Sequence, residues 1–214
     1  MALDPIVHLT RAYGFIKAVE ESTELLRDAA IRYQASVSED QPFVASLLTT
    51  VKGSRQLAAE KAKIVGDLDL ALQEIAAAES AGGDPEVVTA DGTFKAQHLR
   101  ALAYLQRGII EALHGTSNQA RQHLGQSIQT FETPDANYWM AALYEGDYDP
   151  TNALKHYERC LELDPAGDYS IASLRSANEM RNYKRRFRGD RTLFGCLILF
   201  FFPAAIAYYF ANKK

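Results

Sequence analysis

The chain has 214 residues, of which 47% are hydrophobic, and its formal net charge of −4 hides an uneven distribution. Residues 1–180 carry 15 basic and 26 acidic side chains, whereas residues 181–214 carry 8 basic side chains and one acidic one. The excess of acidic side chains in residues 1–180, called the head below, argues against nucleic acid as the main partner. The two cysteines, Cys160 and Cys196, offer no disulfide framework, which suits a reducing compartment.

The amino-terminal part of the chain is predicted to be helical. Apolar residues recur at three- and four-residue steps from Ile6 to Val19, which is typical of an amphipathic helix. Asp4 and Pro5 favour a helix start. The polar stretch 36–42 should break the helix, and a second helical segment is expected from about Phe43. We therefore predict a helical segment over residues 1–50, and a degenerate repeat is one interpretation of it.

Three later segments share one pattern of small and large residues. Gly66 is followed by Ala71, Ile75 and Ala78, Gly115 is followed by Ala120, Leu124 and Ser127, and the third segment has Ala153, Tyr157 and Cys160. The second and third segments are 33 residues apart at every position, close to the 34-residue period of a helix-turn-helix repeat. Steps of four and then three residues place each set on one helical face. The two glycines are predicted to form turns between paired helices.

On these residues the chain resembles the tetratricopeptide repeat (TPR) family. Segment 152–165 looks like the second helix and terminal proline of such a repeat, and segment 66–78 looks like its turn and second helix. Gly108 and Ala59 stand where the family has its small first-helix residue. The resemblance covers residues 51–167, with a polar loop over 82–93, and implies an all-α solenoid of helix-turn-helix repeats. The alternative is a non-repetitive helical bundle, which is also all-α.

The resemblance implies an adaptor whose concave surface, lined by first helices, binds an extended peptide or a partner helix. The candidate residues for this groove are Gln56, Glu60 and Lys63 on the first repeat, and Leu102, Leu105, Gln106 and Ile109 on the second. The second set is largely apolar, so it either binds an amphipathic helix or packs inside the protein. Some family members bind chaperone tails with Lys, Asn and Arg at inward positions, and this set is missing here. Self-association of the chain is a further possibility.

Residues 168–191 are predicted to form a capping helix followed by a basic juxtamembrane segment. The capping helix is expected over about 168–183, with apolar residues at helical steps. The basic residues are Lys184, Arg185, Arg186, Arg188 and Arg191. Such residues either signal the topology of a membrane protein or also attract anionic lipid.

An uninterrupted apolar run extends from Leu193 to Phe210, and we predict a transmembrane anchor over 192–211. Eighteen helical residues span about 27 Å, which is close to the thickness of a hydrocarbon core. The basic residues before the run favour a cytosolic head. A buried core helix is the alternative, but apolar residues on every face argue against it. The layout is similar to that of the tail-anchored repeat adaptors of mitochondrial and peroxisomal fission, although a bacterial inner membrane is equally compatible.

No arrangement of residues typical of catalysis is found in the sequence. The five histidines, His8, His98, His114, His123 and His156, do not show a metal-ligand spacing. We therefore expect no enzyme activity, no cofactor and no metal. The sequence predicts a tail-anchored, TPR-like adaptor that recruits a protein partner to the cytosolic face of a membrane. The alternative is an assembly or structural factor that acts through its transmembrane helix, where Gly195, Ala204 and Ala205 would allow close helix contacts.

Overall fold

The computed structural model describes residues 3–35 and 55–183, and of residues 24–35, 55–60 and 114 it describes the backbone alone. These parts of the chain contain seven helices and one β-hairpin. In chain order they are α1 (Pro5–Ala35), α2 (Arg55–Ser80), β1 (Glu86–Thr89), β2 (Gly92–Lys95), α3 (Ala96–His114), α4 (Ser117–Thr130), α5 (Pro134–Gly146), α6 (Pro150–Leu163) and α7 (170–183).

The helices pack as successive pairs. Helix α1 packs against α2, α3 against α4, and α5 against α6, while α2 contacts α3 and α4 contacts α5. Gly115 and Thr116 form the short turn within the second pair, so the predicted turn at Gly115 is confirmed. The all-α prediction is likewise confirmed by these stacked helical pairs.

The predicted turn at Gly66 is wrong, because α2 continues through it without a break. Gly66 lies on the exposed side of the helix, where a glycine costs only about 1 kcal/mol relative to alanine. The buried face of α2 keeps its helical period on both sides of Gly66, from Ile64 and Leu68 to Ile75. This continuous apolar face outweighs the local preference for a turn. The partner of α2 in the first pair is therefore α1.

The predicted polar loop 82–93 is also wrong in part, because it contains most of a β-hairpin. Strands β1 and β2 pair antiparallel, with Glu86 opposite Lys95 and Thr89 opposite Gly92. The β-branched run Val87, Val88 and Thr89 favours a strand, and an Asp-Gly dipeptide is a strong hairpin signal. Gly92 has a φ of 133°, which other residues rarely adopt.

The tip of this hairpin is attached to α1. The Tyr13 hydroxyl donates a hydrogen bond to Asp91 Oδ2 at 2.5 Å, and Lys17 Nζ lies 2.8 Å from the same oxygen. Hydrogen bonding from Lys17, with that from Tyr13, holds the pKa of Asp91 below its usual value. The Tyr13 ring packs against Phe94 of β2, and Val87 is buried in the core. The hairpin thus fastens α1 to the connection between α2 and α3.

Apolar residues form three clusters along the array. The first lies between α1, α2 and α3, the second between α3, α4 and α5, and the third between α5, α6 and α7. The second-helix positions that sequence periodicity singled out are almost fully buried, as predicted. They are Ala71, Ile75, Ala78, Ala120, Leu124, Ser127, Ala153, Tyr157 and Cys160.

A close approach between α3 and α4 explains the small residue at position 108. A Cβ atom added to Gly108 would lie 2.6 Å from Leu124 Cγ, which is too near for van der Waals contact. Close by, the Ser127 hydroxyl donates a hydrogen bond of 2.8 Å to the carbonyl oxygen of Ala101. The two helices therefore meet where Gly108 leaves room for Leu124.

Gly108→Ala is expected to lower the free energy of unfolding by about 1–3 kcal/mol, because the added methyl group overpacks the contact with Leu124. Gly66→Ala is the matched control. Its Cβ has open space in the same kind of helix, so it should raise the free energy of unfolding by up to about 1 kcal/mol. Urea unfolding of both variants measures the difference, and equal values would contradict the close approach.

Helix starts in the second half of the array are fixed by capping residues. Thr116, Thr133 and Asp149 each accept a hydrogen bond from a backbone N–H group in the first turn of the following helix. Helices α5 and α6 also begin with a proline, which suits the first helical position.

A buried polar chain links the two helices of the third pair. Asn137 is 1% exposed and donates a hydrogen bond of 3.1 Å to Glu132 Oε1, while His156 Nδ1 lies 2.9 Å from Asn137 Oδ1. The Tyr144 ring stacks on the His156 ring. Burial, reinforced by the positive charge of Lys155, lowers the pKa of His156 below its usual value. The folded protein therefore favours neutral His156.

Because the pKa of His156 is lower in the folded state, the unfolded state binds its proton first as the pH falls. The contribution of neutral His156 to the free energy of unfolding should be fully present above about pH 6.5 and should decrease progressively below it. Urea unfolding at pH 7.5 and 5.5 in wild type and His156→Gln tests this. The wild type should lose more stability than the variant. Asp135 and Glu145, whose pKa values are raised by burial, remain in both proteins and cancel in the comparison.

Helix α7 packs against α6 at the end of the described part of the array. Ser173 and Ala177 are fully buried, and the Ser173 hydroxyl lies 3.3 Å from Cys160 Sγ. The outward side of α7 differs from that of a usual capping helix, because Ile171 is 83% exposed and Leu174 is 52% exposed.

Candidate partner-binding surface

The predicted groove residues of the second repeat lie on one face of α3. Leu102, Leu105, Gln106 and Ile109 follow one another at steps of three, one and three residues. Such steps bring all four side chains to the same side of an α-helix. Helix α3 is the first helix of its pair, as the resemblance implied.

This face of α3 packs against α5, the first helix of the next pair. Leu105 and Ile109 belong to the same buried cluster as Trp139, and Leu102 packs against it from the edge. We call Leu102, Leu105, Gln106, Ile109 and Trp139 the α3–α5 face. It joins two successive helical pairs through apolar and aromatic side chains.

Most of the α3–α5 face is covered in this structure. Leu105 is 3% exposed, Gln106 and Ile109 are 6% exposed, and Leu102 is half-buried. Of the two interpretations that the sequence left open, packing inside the protein is the one seen at Leu105, Gln106 and Ile109, and these positions do not display an open groove. The physical reason is that apolar residues beside a neighbouring pair gain more from packing than from contact with water. A partner could reach these side chains only after the groups covering them move.

Two polar atoms of the α3–α5 face are buried without a hydrogen-bond partner among the residues that the structure describes. They are the acceptor Gln106 Oε1 and the donor Trp139 Nε1. Buried polar groups are nearly always hydrogen-bonded, and each unsatisfied one costs about 1–3 kcal/mol. The face therefore offers one acceptor and one donor, set in an apolar surface.

A third such atom, Arg107 Nε, lies beside the α3–α5 face in sequence. The guanidinium of Arg107 forms an ion pair with Asp69 of α2 through its Nη1 atom. Its charge is therefore compensated by the first helical pair. We do not include Arg107 in the face for this reason.

The predicted groove residues of the first repeat are not on a first helix. Gln56, Glu60 and Lys63 all lie in α2, which is the second helix of the first pair. Lys63 is exposed, while the side chains of Gln56 and Glu60 lie outside the described part of the chain. Their placement on a second helix corrects the prediction, and its cause is the missing turn at Gly66.

The membrane-related predictions fall outside the described residues. These are the basic residues Lys184, Arg185, Arg186, Arg188 and Arg191, and the anchor over 192–211. Within residues 3–35 and 55–183, no helix combines the length and apolar character needed to cross a bilayer. In the same ranges, no three His, Cys, Asp or Glu side chains come together as a metal-binding group.

The sequence did not indicate that Gln106 and Trp139 would each carry a buried polar atom without a hydrogen-bond partner among the described residues. Trp139 is the single tryptophan of the sequence, and it is 7% exposed. That its indole N–H lacks a partner depends on the register between α3 and α5. No local sequence signal carries this register.

Comparisons with known proteins identify no family for this chain. No protein-family model matches it, and no curated protein matches it. It is similar to the crystal structure of a thermophilic TPR protein from Thermus thermophilus, with 23% sequence identity and a TM-score of 0.35. The match covers 63% of this chain and 58% of that protein. A similarity at this level supports no argument, so the class of protein, an all-α array of helical pairs, rests on the helices themselves.

Gln106→Met is expected to keep or raise the free energy of unfolding, by up to about 2 kcal/mol. The substitution removes a buried unpaired acceptor and keeps the size and shape of the side chain. Gln122→Met, at an exposed position of α4, is the matched control and should change stability by less than about 0.5 kcal/mol. Urea unfolding gives both values. A clear loss of stability in Gln106→Met alone would mean that the Gln106 amide is satisfied in the folded protein.

Proposed function

We propose that this protein is a helical-repeat scaffold for protein–protein interaction that is held at a membrane by one span over residues 192–211. Its head is cytosolic and recruits a protein partner through the α3–α5 face. The role is that of an adaptor without catalytic activity, cofactor or metal. The outer mitochondrial membrane, the peroxisomal membrane and a bacterial inner membrane all suit this proposal.

The observation that carries the proposal is the unsatisfied acceptor and donor on the α3–α5 face. A partner segment could donate a hydrogen bond to Gln106 Oε1 and accept one from Trp139 Nε1. Tryptophan surrounded by aliphatic side chains is typical of the energetically important centre of an interface. In the free protein these atoms are a cost to stability, and binding would remove that cost.

Partner binding at this face requires a local opening. Because Leu105, Gln106 and Ile109 are covered, only the open fraction of the protein is competent to bind. The apparent affinity is then lower than the intrinsic affinity by that fraction. A partner that adds contacts outside the face compensates for this reduction.

The membrane part of the proposal is supported by the sequence. The apolar run from Leu193 to Phe210 is long enough to cross a hydrocarbon core, and the segment before it is strongly basic. Anionic lipid would repel the acidic residues 1–180 and attract only the basic segment that precedes the apolar run. A protein partner, with anionic lipid as a secondary ligand, fits this division of charge.

Photo-crosslinking in intact membranes tests the proposal. A photoreactive residue is placed at Leu102, the half-buried edge of the α3–α5 face, and at Tyr148, which is 81% exposed in the turn between α5 and α6. We expect a discrete protein adduct from Leu102 and not from Tyr148. Adding Gln106→Met should reduce the yield of this adduct about tenfold or more, since a buried hydrogen bond is lost. Adding Gln122→Met should leave it unchanged.

The same experiment separates the alternatives. Equal adducts from both positions, or an adduct unaffected by Gln106→Met, would contradict recruitment through the α3–α5 face. If the adducts disappear when residues 192–211 are replaced by an unrelated span, the assembly-factor interpretation is favoured instead. Aspartate substitutions at Leu105 or Ile109 are unsuitable, because a buried charge would unfold the head. Release of the chain from membranes by alkaline carbonate would contradict the anchor.

A further inference from the structure

The outward side of α7 exposes two large apolar side chains where a capping helix usually presents polar ones to water. Ile171 is 83% exposed and Leu174 is 52% exposed, and the two lie one helical turn apart. Their side of the helix lies away from Ser173 and Ala177, which are buried. The exposure therefore does not result from an incomplete contact with the array.

The charged groups beside these side chains compensate each other. Arg175 is exposed on the same side of α7, and Asn178 lies one turn further along. Glu179, the single acidic residue of α7, forms an ion pair of 3.2 Å with Arg175. We call Ile171, Leu174, Arg175 and Asn178 the α7 outer face. It combines two large apolar side chains with an arginine whose charge is compensated by Glu179, so its apolar side chains are what suit the surface of a bilayer.

The sequence that follows α7 brings this face near a bilayer. Nine residues, 184–192, separate α7 from the apolar run and include Lys184, Arg185, Arg186, Arg188 and Arg191. Even a fully extended connection of nine residues spans only about 30 Å. Helix α7 itself is about 21 Å long, so a bilayer that holds the apolar run lies within reach of the whole helix.

We propose that the α7 outer face lies on the surface of the phospholipid bilayer in which residues 192–211 are inserted. This inference rests on the membrane anchor of the proposed function. Ile171 and Leu174 enter the boundary between headgroups and acyl chains, as apolar residues of interfacial helices do. The contact fixes the orientation of the helical array on the membrane, which an anchor alone would leave free.

Lipid quenching of single fluorescent labels in the reconstituted full chain tests this contact. The label is attached to Ile171→Cys in a Cys196→Ala background, and to Tyr148→Cys in the same background as the exposed control. The native Cys196, labelled in the otherwise unchanged chain, reports on the apolar run. Cys160 will not interfere, because it is 1% exposed and burial raises the pKa of its thiol. The vesicles contain phosphatidylcholine and phosphatidylserine with nitroxide-labelled lipid as quencher.

We expect labels at positions 171 and 196 to be quenched at least about twofold more than the label at position 148, because only the first two lie at bilayer depth. Quenching at 196 without quenching at 171 would overturn this inference and leave the anchor intact. Quenching at neither position would overturn both. A blue-shifted but unquenched label at 171 would mean that protein, such as a second copy of the chain, covers the face, and would also overturn the inference. Equal quenching at 148 and 171 would overturn it as well, because the contact would not be specific to α7.

Discussion

The burial of α3 on two sides is the constraint on which the rest of the structure depends. Its residues Leu99 and Ile110 pack into the cluster formed with α1 and α2, while Leu105 and Ile109 pack into the cluster formed with α4 and α5. Gly108 adds the close approach of α4. Helix α3, which belongs to the second helical pair, thereby contacts both the first pair and the third pair. A destabilising substitution in the core of α3 is expected to lower the stability of both apolar clusters that α3 joins.

The same constraint creates the candidate binding surface. The α3–α5 face holds successive pairs together, yet it contains an acceptor at Gln106 and a donor at Trp139 that nothing in the described residues satisfies. A face selected for packing alone would carry apolar residues at both places, since unsatisfied polar groups oppose folding. Under the proposed function, retaining them lowers stability and gains specificity for a partner that supplies the missing hydrogen bonds. A local conflict of this kind is typical of functional sites.

The periodicity of the chain predicted the helices well because burial repeats every turn. The second-helix sets Ala120, Leu124, Ser127 and Ala153, Tyr157, Cys160 occupy the buried positions expected of them. Gly66 was misleading because the sequence alone does not separate a glycine on the exposed side of a helix from a glycine in a turn. Only the continuous apolar face of α2 separates the two cases. The hairpin was missed because strands of four residues are short, and its attachment to α1 through Tyr13 and Asp91 is a long-range contact.

The candidate site was predictable only in part. Sequence spacing grouped Leu102, Leu105, Gln106 and Ile109 on one helical face, and they do share it. Whether that face is open or covered depends on how α5 packs on α3, which spacing along one helix does not determine. The assignment of Gln56, Glu60 and Lys63 to a first helix failed for a related reason, because the pairing of α2 with α1 is a tertiary feature.

The central claim is that the α3–α5 face opens locally and that the Trp139 indole N–H has no partner when it is closed. Because the chain contains one tryptophan, its indole proton gives a single, assignable NMR signal. Its exchange with solvent deuterium, compared with the slowest backbone amides of α3 and α4, is the most direct measurement. The account predicts exchange through a local opening whose free energy is well below that of global unfolding. Exchange of the indole proton at the rate of the slowest amides would contradict it.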